Sequence, residues 1–169
     1  MKNIVLTGFM GTGKTAVGTE ISRLIGRQLI DIDTEIERES KMTIAEIFSR
    51  MGEENFRFIE TETIKKFSKL VDVIISTGGG AVLRQENIDA LKENGIVICL
   101  TATPETIFKR TSPQIGIRPL LQVEDPLKRI NELLDFRMSC YAKADFMIDT
   151  EEKTPLQIAE EIIEKARSL

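Results

Sequence analysis

Apolar residues along the chain follow two rhythms. Five runs are short and nearly continuous: "NIVLT" (3–7), "QLIDID" (28–33), "DVIIST" (72–77), "GIVICLT" (95–101) and "DFMID" (145–149). Runs of this kind suit strands covered on both faces, as in a parallel sheet. Between them, apolar positions return every three or four residues, the period of a helix. Phe56, Ile59, Thr63, Phe67 and Leu70 mark one helix face over 56–70, and Leu127, Ile130, Leu134, Arg137 and Tyr141 mark another after Pro126. Helix starts are signposted as well. Thr43 and Glu46 form a capping-box pattern, and Asp125-Pro126 and Thr154-Pro155 each set a capping residue before a proline at the first helical position. "TEIE" (34–37) repeats the capping-box pattern directly after Asp33. The alternation predicts a single α/β domain over 1–169, with helices on both faces of an open, mostly parallel sheet and right-handed crossovers. One stretch, "TSPQIGIRPLLQVEDP" (111–126), breaks the rhythm with three prolines and a glycine and reads as a mobile loop within that domain.

Composition narrows the chemistry. The chain of 169 residues is 41% hydrophobic and 30% charged, ordinary for a globular protein. Its net charge of −4 argues against nucleic acid or an anionic membrane as the main partner, while leaving room for a local basic pocket. No apolar run reaches the length of a membrane span, and the long apolar region of a signal peptide is missing from the start. There is no histidine, which excludes a histidine base, a Ser-His-Asp triad and the usual zinc sites. Acid–base work therefore falls to carboxylates, lysine or water. Cys99 and Cys140 form no C-x-x-C pair and are expected as reduced thiols of a cytoplasmic protein, with Cys99 buried in a strand.

The first strand runs straight into "GFMGTGKT" (8–15), which matches G-x-x-x-x-G-K-[ST] through Gly8, Gly13, Lys14 and Thr15. Following a strand and opening a helix, this is the context that confirms a phosphate-binding P-loop. Its glycines let main-chain N–H groups turn toward a phosphate, and the helix adds the positive end of its dipole. Lys14 is placed to reach the β- and γ-phosphates and the Thr15 hydroxyl to ligate magnesium. A nucleoside triphosphate is the expected ligand. Asp31 and Asp33, two apart at the carboxyl end of the second strand, point to one side of it, where open α/β sheets bind ligands. Gly78, Gly79 and Gly80 close the third strand and read equally as a turn or as a place where a ligand meets main-chain N–H groups. Arg57 has Glu60 three residues on, Arg118 sits in the irregular loop, and Arg137 lies on an otherwise apolar stripe. Taken one at a time, each arginine reads more readily as an exposed charge than as a ligand-binding group.

Together, "GFMGTGKT", "DID", "FRFIE", "STGGGAV", "RPLL" and "RMSCY" occur in an order and spacing that resemble the shikimate kinase family over nearly the whole chain. The resemblance implies a three-layer α/β/α P-loop kinase fold of the nucleoside-monophosphate-kinase type, with a five-stranded parallel sheet in the order 2-3-1-4-5. It implies ATP-dependent phosphorylation of the 3-hydroxyl of shikimate, in aromatic amino-acid biosynthesis, by a monomer that binds neither nucleic acid nor membrane. Gly11, Thr12, Gly13, Lys14, Thr15 and Ala16 would hold the ATP phosphates. Arg110 and Lys153 would lie on the adenine side, and Arg118 would reach the phosphates as the 111–126 lid closes. Thr15 and Asp31 would hold one Mg2+. Asp33 would orient or deprotonate the attacking hydroxyl, and Arg57, Arg137 and the Gly78, Gly79 and Gly80 backbone would bind shikimate. Lys14, Asp33 and Arg118 would carry the catalysis. Ser139 and Cys140 depart from the proline and leucine frequent in the family before the tyrosine, and some relatives have arginine in place of Lys153. A gluconate kinase on the same fold, and a non-catalytic nucleotide sensor, are the rival readings.

Overall fold

The computed structural model describes residues 2–113 and 119–168. Five strands form one parallel sheet: β1 (Asn3–Gly8), β2 (Leu29–Asp31), β3 (Ile74–Ser76), β4 (Gly95–Thr101) and β5 (Phe146–Asp149), ordered β2-β3-β1-β4-β5. The expected strand order is thus the observed one. β1 is buried at every position because it lies between β3 and β4, with Ile4 beside Ile74 and Ile96. Alternate side chains leave β1 on opposite faces. Ile4 and Leu6 join a cluster with helices α1 (Lys14–Ile25) and α7 (Pro155–Arg167), through Val17, Ile21, Ile158 and Ile162. Val5 faces helices α2 (Ile32–Ser40), α3 (Ile44–Phe67) and α4 (Gln85–Asn94), through Ile36, Ile47, Ile64 and Leu91. A third cluster joins Phe9 and Cys99 to α5 (Pro104–Thr111) and α6 (Pro126–Tyr141) through Ile107, Ile130 and Tyr141. Each such buried side chain contributes roughly 1.5–3 kcal/mol, so the sheet is a firm base for the loops at its carboxyl edge.

The signposted helix starts are present. Thr43 and Glu46 exchange reciprocal bonds at the start of α3, and the Asp125 and Thr154 side chains accept from the N–H groups of Lys128 and Gln157. Elsewhere the structure departs from the sequence reading. β2 stops at Asp31, whose carboxylate caps α2 by accepting from Thr34 N at 3.2 Å, and Asp33 lies in the first turn of that helix. The two aspartates therefore do not share a strand face, and the "TEIE" capping box does not form. The Glu37 carboxylate instead accepts from Ile44 N at 2.9 Å. A short acidic side chain is a strong N-cap, and Asp31 takes that position before Thr34 can.

α3 spans 24 residues with a kink at Gly52, where φ is +81°. It ends at Phe67, so Leu70 lies beyond it and is exposed. Its buried face also holds Arg57, Glu60 and Ile64, because the helix packs against both α2 and α4. On α6, Ile130, Leu133, Arg137 and Tyr141 are buried while Leu134 is only partly so. In the irregular stretch, α5 continues to Thr111 and Pro119–Leu121 form a short 3-10 turn that buries Leu121. Arg118 lies outside the described residues, as does the rest of 114–118. Among the described residues, no helix is long and apolar enough to cross a membrane.

Candidate active site

The P-loop closes on itself before any ligand is considered. Thr12 Oγ1 donates to the Phe9 carbonyl at 2.7 Å, and Lys14 Nζ donates to the carbonyls of Gly8 and Phe9 at 2.9 and 3.0 Å. Gly13 caps α1 with φ +92°, a left-handed conformation that costs other residues roughly 1–2 kcal/mol. The first N–H groups of α1, among them those of Thr15 and Ala16, have no intrahelical acceptor and carry the positive end of the helix dipole. They open on a cleft of about 310 Å³ that is also lined by Gly11, Asp31, Ser76 and Thr77. The cleft lies at the carboxyl ends of β1, β2 and β3, where open α/β sheets bind ligands. Arg110 ties the loop to the end of β5: its guanidinium donates to the Gly11 carbonyl at 3.3 Å, and to Thr150 Oγ1 and the Thr150 carbonyl at 3.0 and 3.1 Å. Lys153 pairs with Glu161 on α7 at 2.8 Å.

A second pocket, of about 300 Å³, shares Met10, Asp33, Gly78 and Gly79 with the first. Phe48 and Phe56, with ring centroids 4.5 Å apart, form part of its apolar wall, and Leu120 closes another side. Its charged lining is Asp33, Arg57, Glu60 and Arg137. The glycine run shows why three glycines follow β3. None of the three has positive φ. A Cβ at Gly80 would stand 2.5 Å from Arg57 Nη2, and one at Gly78 would stand 3.0 Å from Asp33 Oδ1 and 3.1 Å from Glu60 Oε1. The run does turn the chain, with Ala81 N donating to Gly78 O at 3.2 Å, but Gly78 and Gly80 answer to the charged side chains packed against them, and Gly79 to the P-loop backbone, where a Cβ would stand 3.3 Å from Gly8 O and 3.4 Å from Met10 N.

Arg57 is 9% exposed and Glu60 0%; they pair at 2.8 Å, with Glu53 at 3.3 Å on the open side. Arg137 is also buried, lying over the Phe9 ring and donating to the Gly79 carbonyl at 3.4 Å. Three buried polar atoms of this pocket have no hydrogen-bond partner among the described residues: Asp33 Oδ1, Glu60 Oε1 and Arg137 Nε. Leaving such a group unsatisfied costs about 1–3 kcal/mol, and buried polar atoms are rarely left so without a ligand or water to serve. Burial pushes the Asp33 carboxyl up to about 6, helped by the carboxylates of Glu60 and Asp31 and opposed by Lys14 and Arg57. Burial likewise raises Glu60, against the pull of Arg57.

Sequence reasoning singled out most of these side chains but not all. Glu60 entered only as a local partner of Arg57, although its spacing, four residues after Phe56 and four before Ile64, places it on the buried face. Ser76 and Thr77 looked like strand residues, and their place in the first cleft follows from β3 lying next to β1. Tyr141 was visible in "RMSCY", four residues after Arg137, without a task.

A phosphate-cradling cleft that meets a second pocket at one carboxylate can hold a phosphoryl donor and a hydroxyl acceptor head to head. The second pocket is sized for a small molecule, which is the design of a P-loop small-molecule kinase. The shikimate kinase family model matches residues 10–167. The shikimate kinase of Thermodesulfovibrio yellowstonii is 52% identical over 169 residues, all of this chain and 97% of that one. That of Caldanaerobacter subterraneus is 49% identical, across 96% of this chain and 95% of the other. The solved structure of Acinetobacter baumannii shikimate kinase in complex with shikimate superposes with a TM-score of 0.94 at 37% identity, covering 99% of this chain and 94% of that one. The chain belongs to the shikimate kinase family and is a kinase of the shikimate pathway. A gluconokinase from Sinorhizobium meliloti, with a TM-score of 0.64 at 16% identity over 99% of this chain and 93% of its own, shares the fold.

Proposed function

We propose that this chain transfers the γ-phosphoryl group of ATP to the 3-hydroxyl of shikimate, with the donor in the P-loop cleft and the acceptor in the second pocket. The observation that carries this reading is the pair of unsatisfied atoms in one pocket, Asp33 Oδ1 and Arg137 Nε. Shikimate offers a hydroxyl to the first and a carboxylate to the second, and a guanidinium binds a carboxylate through two parallel bonds. Arg57 adds a second positive charge, held in place by Glu60, and the N–H groups of Gly78, Gly79 and Gly80 complete the donor set.

In this account Lys14 exchanges the carbonyls of Gly8 and Phe9 for phosphate oxygens, a stronger, charge-assisted partner. Gly11, Thr12, Gly13, Thr15 and Ala16 surround the phosphates, Arg110 and Lys153 serve the adenine side, and Arg118 reaches the transferring group on closure. Asp33 fixes the acceptor hydroxyl in line and takes its proton late, when the forming bond has made it acidic. The Thr15 hydroxyl and the Asp31 carboxylate would hold Mg2+. Two oxygen donors fit a hard cation that keeps waters and phosphate oxygens as its other ligands, and no denser acidic cluster exists among the described residues. When bound, the ion neutralises charge on the β- and γ-phosphate oxygens. Both pockets come from one chain, which supports a working monomer, and the free thiols Cys99 and Cys140 support a cytoplasmic setting.

Calorimetry on Arg57→Ala and Arg137→Ala tests the acceptor half. Losing one charge-assisted contact should weaken shikimate binding by about 2 kcal/mol and leave ATP binding nearly unchanged. Unchanged shikimate affinity in both variants would remove the carboxylate clamp.

A further inference from the structure

Tyr141 is the chain's one tyrosine and follows Arg137 by one helical turn on the same face of α6. Its ring belongs to the cluster with Phe9, Ile130 and Leu133, and its hydroxyl donates to the Gly79 carbonyl at 2.7 Å. Arg137 Nη1 donates to the same oxygen over a longer 3.4 Å. The two bonds face different surroundings. Arg137 lines the acceptor pocket, so an incoming carboxylate competes for its N–H groups, and a neutral carbonyl loses that competition to an anion. Tyr141 does not line that pocket. It borders a separate cavity of about 240 Å³ behind the P-loop, with Phe9, Thr12, Cys99 and Leu134 among its walls. Its bond to Gly79 is therefore out of the acceptor's reach.

Gly79 and Gly80 have no side chains to restrict the peptide between them, so that peptide is free to rotate unless something holds it. Rotated into the pocket, the Gly79 carbonyl would set an oxygen against the carboxylate of the acceptor. We propose that the Tyr141 hydroxyl is a positioning group for the acceptor: it keeps the Gly79 carbonyl turned to α6 while Arg137 is engaged by the substrate carboxylate. The inference rests on the acceptor pocket described under the proposed function. Burial pushes the Tyr141 hydroxyl up to about 12, against the charge of Arg137 and a hydrogen bond from it, so it remains a donor at neutral pH.

Tyr141→Phe removes the hydroxyl and keeps the ring. Steady-state kinetics should show the KM for shikimate rising roughly tenfold, the worth of one hydrogen bond, with kcat and the KM for ATP changing less than twofold. The carboxamide of shikimate, which lacks the anionic oxygen, should suffer a smaller rise. An unchanged KM for shikimate overturns the proposal. So does a parallel fall in kcat, both affinities and melting temperature, the mark of a merely structural role. Arg137→Ala serves as the control: if it weakens shikimate binding and Tyr141→Phe does not, this inference alone fails. If Arg137→Ala has no effect either, the acceptor pocket itself is misassigned.

Discussion

Asp33→Asn should make the free protein more stable at neutral pH while stopping its chemistry. Asp33 is partly buried near Glu60 and Asp31, with its Oδ1 atom enclosed, and its carboxyl is held at about 6 against an ordinary value of 3.8. Because the folded value lies above the unfolded one, folding favours the protonated acid. The associated stability is fully present below about pH 4 and is lost as the pH rises through about 6. A displacement of about two pH units corresponds to on the order of 3 kcal/mol, the cost of keeping Asp33 ionised at pH 7.5. Asparagine keeps the shape and removes that cost. For a domain of this size, each kcal/mol moves the melting temperature by roughly 2–4 °C, so the variant should melt roughly 6–12 °C higher at pH 7.5. Melting curves of both proteins from pH 4 to 8 are the assay, and the gap should shrink toward zero at the acid end. The variant's kcat should fall by orders of magnitude, because an amide can accept the hydroxyl's hydrogen bond but cannot take its proton. A variant that melts at or below the parent at pH 8, or a gap that does not change with pH, would refute the argument that Asp33 carries a buried charge for the sake of catalysis.

Lys14→Ala should lower kcat far more than it raises the KM for ATP, since the ammonium is assigned to charge that grows in the transition state; single-turnover kinetics separate the two. Gly80→Ala should fold, because the added Cβ meets only the flexible end of Arg57, but it should displace that guanidinium and weaken shikimate binding at least tenfold. Titration of shikimate into the variant checks this, and wild-type affinity would show that Arg57 has room to spare.

The sheet was legible because most of its strands are almost purely apolar, and β1, β3 and β4 could not be mistaken for amphipathic surface. The boundary after β2 was not, for a specific reason. In "LIDID" the letters that alternate like a strand also read as the N-cap and first turn of a helix, and Ile32 is buried in either case. Only the bond from Thr34 N to Asp31 decides between them. The P-loop was legible from spacing alone, since its work is done by the backbone. The acceptor pocket was harder. Arg57 and Arg137 are 80 positions apart on α3 and α6; Arg137 stands out locally by its place on an apolar stripe, whereas nothing local distinguishes Arg57 from a solvated charge. Their meaning comes from the glycine run after β3, which both helices approach. Glu60 was hidden for a related reason: apolar periodicity assigns carboxylates to solvent, whereas the fold buries this one against an arginine.

We propose that donor and acceptor meet at Asp33, so that phosphate passes to one hydroxyl of one small hydroxy acid. Phosphorus NMR of the products formed from Mg-ATP, with shikimate, gluconate and a nucleoside monophosphate offered in competition, tests it most directly. A single phosphorylated product is expected, shikimate 3-phosphate, whose formation stops when magnesium is chelated and fails to appear with Asp33→Asn. Phosphate on another hydroxyl, comparable turnover of gluconate or the nucleotide, or undiminished turnover by Asp33→Asn would contradict it.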